Sequence, residues 1–340
     1  MFRRKTLFIL GAGASAEIEL PLGGGLASVI ASKMDVRFEM GHRPIGTGDF
    51  DLYSRICAVH HQETSEYQEA AWLIRDGIHF ARSIDDFLDM HRANPFVVKY
   101  GKVAIVKSVL EAENQSIMNY TDANGIPAFS PARFAGTWYT KLMQMLGPGI
   151  PRENVKDIFN QVSFVIFNYD RCLEFFLPNA LQGLYGIRES EAIDICSTLD
   201  IVHPYGVIDT SVRYGSTQAN HIALADGIKT YTEQISDPKI TDAISDKIEK
   251  AETIVFLGFA YHDQNMKLLE PVRKFPKRKP IYGTAFGMSD SDVGIVSNQI
   301  EDWVPGLSVR ISTPKTTRIE NKLKCAELFD HYAKSFTAQD

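Results

Sequence analysis

The chain predicts an α/β fold, a parallel sheet with helices on both faces, interrupted by a large all-helical insertion. Three observations lead there. Leu7 to Leu10 form a continuous apolar run that breaks directly into Gly11-Ala12-Gly13, as a strand buried on both faces does before a tight turn. Residues 35–150 carry apolar side chains at three- and four-residue spacing and offer no clear strand. From residue 151 onward short apolar runs alternate with helical stretches, the pattern of strands joined by crossover helices. The domains divide accordingly: 1–34 and 151–340 form the α/β unit, and 35–150 form a lid or docking subdomain.

Composition narrows the class. The chain has 340 residues, 44% hydrophobic and 23% charged, enough to bury a large core and unlike a disordered segment. A net charge of −6 gives no global attraction to nucleic acid or to an acidic membrane, so no direct nucleic-acid site is expected. The basic run from Lys274 to Lys279 reads as a solvated turn before a strand. No apolar stretch has the length of a membrane span. Arg3, Arg4 and Lys5 before the first apolar run imitate a secretion signal, but the run is too short, and a cytoplasmic location is expected. The four cysteines, Cys57, Cys172, Cys196 and Cys325, include no CxxC pair, so no zinc site is expected. His42, His60, His61, His91 and His221 lack metal-ligand spacing and read as structural.

Taken in order, the first element is the strand at 7–10, and Gly11-x-Gly13-x-x-Ala16 after it fits the loose dinucleotide fingerprint of a Rossmann-like unit. Glycines let backbone N–H groups approach a phosphate, and the helix that follows points its positive end at it. Gly23-Gly24-Gly25 read as a mobile loop or a close approach to ligand, because three glycines weaken a helix. Within the insertion, helices are expected at 51–59, 65–76, 84–91, 96–117 and 133–146, with Ser83 and Asp86 forming a capping-box variant before the third. Gly147-Pro148-Gly149-Ile150-Pro151 ends the block. Strands then fall at 162–167, 200–202, 253–257, 280–282 and 307–311. Helices fall at 170–181, 237–250, 290–303 and 318–335, the second opened by Asp237 as cap and Pro238 at its first position.

In an open parallel sheet, ligands lie beyond the carboxyl ends of the strands. Those ends carry Gly11-Ala12-Gly13-Ala14-Ser15, Asn168-Tyr169-Asp170, His203-Pro204-Tyr205-Gly206 and Gly258-Phe259. Glycine and polar residues gather where a phosphate-bearing ligand would sit.

This ordered set resembles the NAD-binding core of the sirtuins, and is more similar to sirtuin-like bacterial defence proteins than to the deacylases. The likeness spans 1–25 and 160–265; the insertion lies outside it. It implies NAD as substrate, with Asn168 and His203 catalytic. Asn168 would hold the ribose hydroxyls and a water, and His203 would act as general base. Gly11, Ala12, Gly13, Ala14 and Ser15 would cradle the pyrophosphate, Asp170 would help fix the nicotinamide side or the loop around it, and Gly258 and Phe259 would line the adenosine side. Each has a plainer reading beside it: Asn168 as a turn residue, Asp170 as a helix cap, His203 as a strand-end histidine.

The sequence departs from the deacylases in two places. The zinc-binding cysteines are missing, and Leu20-Pro21-Leu22-Gly23 stands where their arginine-containing loop begins. The expected reaction is therefore hydrolysis of NAD to nicotinamide and ADP-ribose by a regulated NAD glycohydrolase, and the resemblance implies that it depletes NAD in antiphage defence. The resemblance further implies a homo-oligomer and a partner such as a HerA-like ATPase. The alternatives are a non-catalytic NAD or ADP-ribose sensor, a protein deacylase, and an oxidoreductase using Asp35 as the ribose-binding acid.

Overall fold

The computed structural model describes residues 2–39, 43–235, 237–303 and 316–338. Its centre is a sheet of six strands: β1 (Thr6–Leu10), β2 (Val162–Ile166), β3 (Asp200–Val202), β4 (Thr253–Leu257), β5 (Ile281–Thr284) and β6 (Thr317–Glu320). All pairings are parallel, and the order is β3-β2-β1-β4-β5-β6. The chain thus builds outward from β1 on one side, then crosses back and builds outward from β4 on the other. This is the doubly wound order, and its switch point lies between β1 and β4.

β1 is buried along its whole length because it is paired on both edges and covered on both faces. Its side chains alternate between two cores. Leu7 and Ile9 join the core that continues into Ile30, Tyr67 and Val103, whereas Phe8 and Leu10 join the one that holds Trp138, Phe176 and Phe329. The insertion therefore packs against both faces of the sheet. Most of its helices lie on the first face and Trp138–Leu146 on the second, against Cys325–Thr337.

The insertion's helices run Phe50–Val59, Thr64–Gly77, Ile84–Met90, Pro95–Gln115 and Trp138–Leu146, close to the spacing-based expectations. Asn94 caps the long Pro95–Gln115 helix by accepting from Phe96 N and Val97 N, with proline at the first position where its missing N–H costs nothing. Ser83 accepts from Asp86 N at 3.1 Å and opens Ile84–Met90. The block is not wholly helical. Two antiparallel hairpins, Arg37–Glu39 with Arg43–Ile45 and Tyr120–Thr121 with Pro127–Ala128, interrupt it, on strands too short to leave an alternating signal.

Other departures are local. Gly23 to Gly25 form the first turn of the helix Gly23–Lys33, since packing of Ile30 and Ala31 supplies what the glycines lack. The start of the helix expected at 318–335 is instead the edge strand β6, and the helix is Cys325–Thr337. The strand expected at 307–311 and His42 lie outside the described residues. Lys279 is not a solvated turn residue: it is buried, donates to the Ile248 and Glu249 carbonyls at 2.8 Å, and lies over the Phe275 ring. Burial lowers its ammonium pKa to about 8. Among the described residues, no helix is long and apolar enough to cross a membrane.

Candidate functional site

The ends of β1 and β4 touch. Gly11 N donates to the Leu257 carbonyl at 3.0 Å and Gly13 N to the Gly258 carbonyl at 2.9 Å. A Cβ on Gly13 would sit 2.7 Å from Gly258 Cα, and Gly258 itself has φ of +57°, where a Cβ would lie 2.0 Å from Ala14 N. Only glycine fits this approach. Beyond it, at the switch point, opens a cavity of about 810 Å³, of a size that suits a cofactor or dinucleotide.

Gly11, Ala12 and Gly13 line the cavity on one side of the switch point, and Gly258 and Phe259 on the other. Ala14 and Ser15 do not. Ala12–Ser15 is a single helical turn, so its later side chains rotate inward; the Ala14 carbonyl accepts from Trp138 Nε1 at 2.7 Å.

Asn168, at the end of β2, lines the cavity while being only 8% exposed. Its Nδ2 donates to the Gly11 carbonyl and to Ser15 Oγ, both at 3.1 Å. Turning the amide over would set its oxygen against a carbonyl oxygen, so the chemistry of Gly11 decides the orientation. Both amide protons are then engaged, and Oδ1 is the atom left to accept from a ligand hydroxyl or a water.

Ser15 Oγ donates to Asp170 Oδ2 at 2.9 Å. Asp170 Oδ1 accepts from Cys172 N at 3.2 Å, the first N–H of the helix Cys172–Tyr185, while the N-cap position itself is Arg171 and not Asp170. Burial raises its pKa, against the hydrogen bonds from Cys172 and Ser15. Asp170 supports the Asn168 loop from behind and is not part of the cavity wall.

His203 stands at the end of β3, near the Asn168 carbonyl, but not in the cavity wall. Its Nε2 pairs with Glu174 Oε1 at 2.6 Å, and Nδ1 is buried. Burial works against its protonation, yet the hydrogen bond and charge of Glu174 outweigh it and raise the pKa.

Part of the wall comes from the insertion. Ser83, Asp85 and Asp86, at the start of Ile84–Met90, line the cavity with Arg82, and so do Gly23 and Gly24 at the start of Gly23–Lys33. The Tyr169 hydroxyl donates to Asp85 Oδ1, and burial pushes the Asp85 carboxyl up to about 6, with Asp86 adding to the effect and the Tyr169 hydrogen bond opposing it. Glu17, also in the wall, accepts from Trp138 N and Ala326 N, both at 2.8 Å, and so binds the starts of two helices to the glycine turn. At the far end, Lys324 lies over the exposed Phe286 ring, 5.3 Å from its centroid.

Sequence reasoning missed Asp85, Asp86 and Glu17. The pairing of Ser83 with Asp86 was legible as a cap, and nothing local said that the capped turn faces a cavity. Asp35 lies outside the wall and is bonded to Arg37 Nε at 2.6 Å and Arg75 Nη1 at 3.2 Å, so it is not at hand for a ribose. Among the described residues no group of three His, Cys, Asp or Glu could hold a metal ion, and the four cysteines are free.

No family model and no curated protein matches the chain. One solved structure similar to it is a triple mutant of a Sir2 homologue in complex with 2'-O-acetyl ADP ribose. The two share 14% identity over 99% of this chain and 95% of that one, with a TM-score of 0.38.

Proposed function

We propose that the chain is an NAD glycohydrolase, cleaving the nicotinamide–ribose bond to give nicotinamide and ADP-ribose. The observation that carries this reading is Asn168: a buried amide whose donors are engaged by Gly11 and Ser15, leaving its acceptor to the cavity at the switch point. The ordered strand-end motifs, similar to those of sirtuins, supply the choice of NAD.

The leaving nicotinamide departs as a neutral ring, so the site needs little acid catalysis. What it must do is hold the ribose, favour an oxocarbenium-like state and keep a water on the open face. Asn168 Oδ1 would orient a ribose hydroxyl or that water. Gly11 N and Gly13 N are engaged by the Leu257 and Gly258 carbonyls, so the N–H groups of Ala12, Gly23 and Gly24 would face the diphosphate. Phe259 and the pair of Phe286 and Lys324 would flank the adenosine.

His203 enters this reading as a positioning residue. Its imidazole is held by Glu174, and direct action on the sugar would require it to leave that pair. A deacylase would need an acyl-lysine cleft, and the insertion walls in the cavity from the side of Arg82 to Asp86. That enclosure favours water as the nucleophile. The resemblance extends the proposal to a cytoplasmic, regulated, homo-oligomeric enzyme that depletes NAD in antiphage defence beside a partner ATPase. Incubating the full chain with NAD and separating the products by chromatography should give nicotinamide and ADP-ribose in equal amounts. Bound but intact NAD under every condition would leave a sensor in its place.

A further inference from the structure

We propose that Asp85, supplied by the helical insertion, is the general base that takes the proton of the attacking water. The inference rests on the glycohydrolase reading above and deepens it. Three placements support it. Asp85 lines the same cavity as Asn168. Its Oδ1 accepts from the hydroxyl of Tyr169, the residue that directly follows Asn168, so the base and the ribose-binding amide are held in register by one peptide unit. Its backbone is fixed in the first turn of Ile84–Met90 by the Ser83 cap.

In the step proposed, the bond from ribose C1′ to the nicotinamide nitrogen breaks and its electron pair returns to the ring, which leaves neutral. The water oxygen forms the new bond to C1′, and its proton passes to an Asp85 carboxylate oxygen. Nothing is oxidised or reduced.

The charges around Asp85 suit a base that works near neutrality. On its own segment, Arg82 turns to Asp86 at 3.5 Å and to Asp263 at 3.7 Å, and among the described residues no cation is paired with the Asp85 carboxylate. Asp86 adds negative charge beside it, while Asp89, one turn on, faces Arg92 and Thr232. From the strand ends face Tyr169 and Tyr205, the latter donating to Asn265 Oδ1 at 2.6 Å. From the segment Tyr231–Ile235 come Tyr231 and Glu233, whose charge is met by Lys102 of Pro95–Gln115 at 2.7 Å. The helix Gly23–Lys33 offers Lys33, which is bonded to Glu111. A carboxyl pushed up to about 6 in this setting is a stronger base than an ordinary aspartate and is still ionised at pH 7.

The test uses the full chain, with nicotinamide release and NAD binding measured in parallel across pH. In the wild type the rate should rise with pH through a midpoint of about 6 and level off on the alkaline side of it. Asp85→Asn should bind NAD and lose on the order of a hundredfold in kcat. A variant within threefold of wild type overturns the role of Asp85 while the glycohydrolase reading stands; a wild type that binds NAD and releases no nicotinamide removes both. Tyr169→Phe keeps the buried ring and settles the matter if Asp85→Asn does not fold. Losing the donor that stabilises the carboxylate should move the acidic limb to higher pH, and an unmoved limb overturns the proposal.

Discussion

Asn168 Nδ2 donates to the Gly11 carbonyl at 3.1 Å, which ties the end of β2 to the glycine turn of β1 and fixes the side-chain amide against the backbone it would share with a ligand. Ser15 is the third member of this contact, accepting from Asn168 and donating to Asp170. Ser15→Ala removes both bonds and leaves a buried carboxylate with one donor fewer. The variant should lose about 1–3 kcal/mol of stability. Its kcat for NAD should fall more than its KM rises, because the amide is then held by the Gly11 carbonyl alone. Urea denaturation and steady-state kinetics read the two effects separately.

Gly258→Ala tests the contact between the two strand ends. The new Cβ would meet Ala14 N at 2.0 Å on a backbone with φ of +57°, so overpacking and left-handed strain act together. A loss of at least about 2 kcal/mol is expected, with weakened NAD binding in whatever folds. An alanine variant as stable as the parent would mean that the ends of β1 and β4 are not in contact.

Arg171 and Glu113 join the Asn168 loop to the insertion. The guanidinium donates to both Glu113 oxygens, at 3.2 and 3.0 Å, and to the carbonyls of Asp209, Val212 and Arg213, with both side chains nearly excluded from water. Glu113→Ala leaves a buried cation without its counter-charge and should cost about 3–5 kcal/mol. The denaturation midpoint should drop accordingly, and a change under about 1 kcal/mol would mean the pair is open to solvent.

The pair of His203 and Glu174 predicts a pH dependence. The folded-state pKa of His203 is raised above its ordinary value of 6.5, so the stability it contributes is fully present below that value. It is lost as pH rises through the raised folded pKa. Wild type minus Glu174→Gln, measured as denaturation midpoints from pH 5 to 9, should give a difference that shrinks on going alkaline. A difference independent of pH would contradict the charged pair.

What could be read from the chain was what local pattern encodes. Leu7 to Leu10 and Thr253 to Leu257 announced themselves because a strand buried on both faces is apolar throughout, and the glycines after them because no other residue permits so close an approach. β6 escaped because four alternating residues, Thr317 to Glu320, carry too little signal beside the long helical pattern that follows. The order of strands, and so the meeting of Gly13 with Gly258, depends on pairing across the whole chain. Asn168 and Gly11 were each singled out from their place after a strand, while their hydrogen bond follows only from the register of β1 against β2. Asp85 and Glu17 were hidden for a related reason. Asp85 belongs to a helix start and Glu17 to a turn, and their exposure to the cavity arises from packing between distant segments.

The central claim is that Asn168 presents its acceptor oxygen to the ribose of NAD, and it is tested most directly by comparing nicotinamide release from wild type and Asn168→Ala at saturating NAD, with binding followed by calorimetry. The expected result is NAD bound by both proteins and a rate lower by on the order of a hundredfold in the variant. Equal rates from two folded, NAD-binding proteins would contradict it.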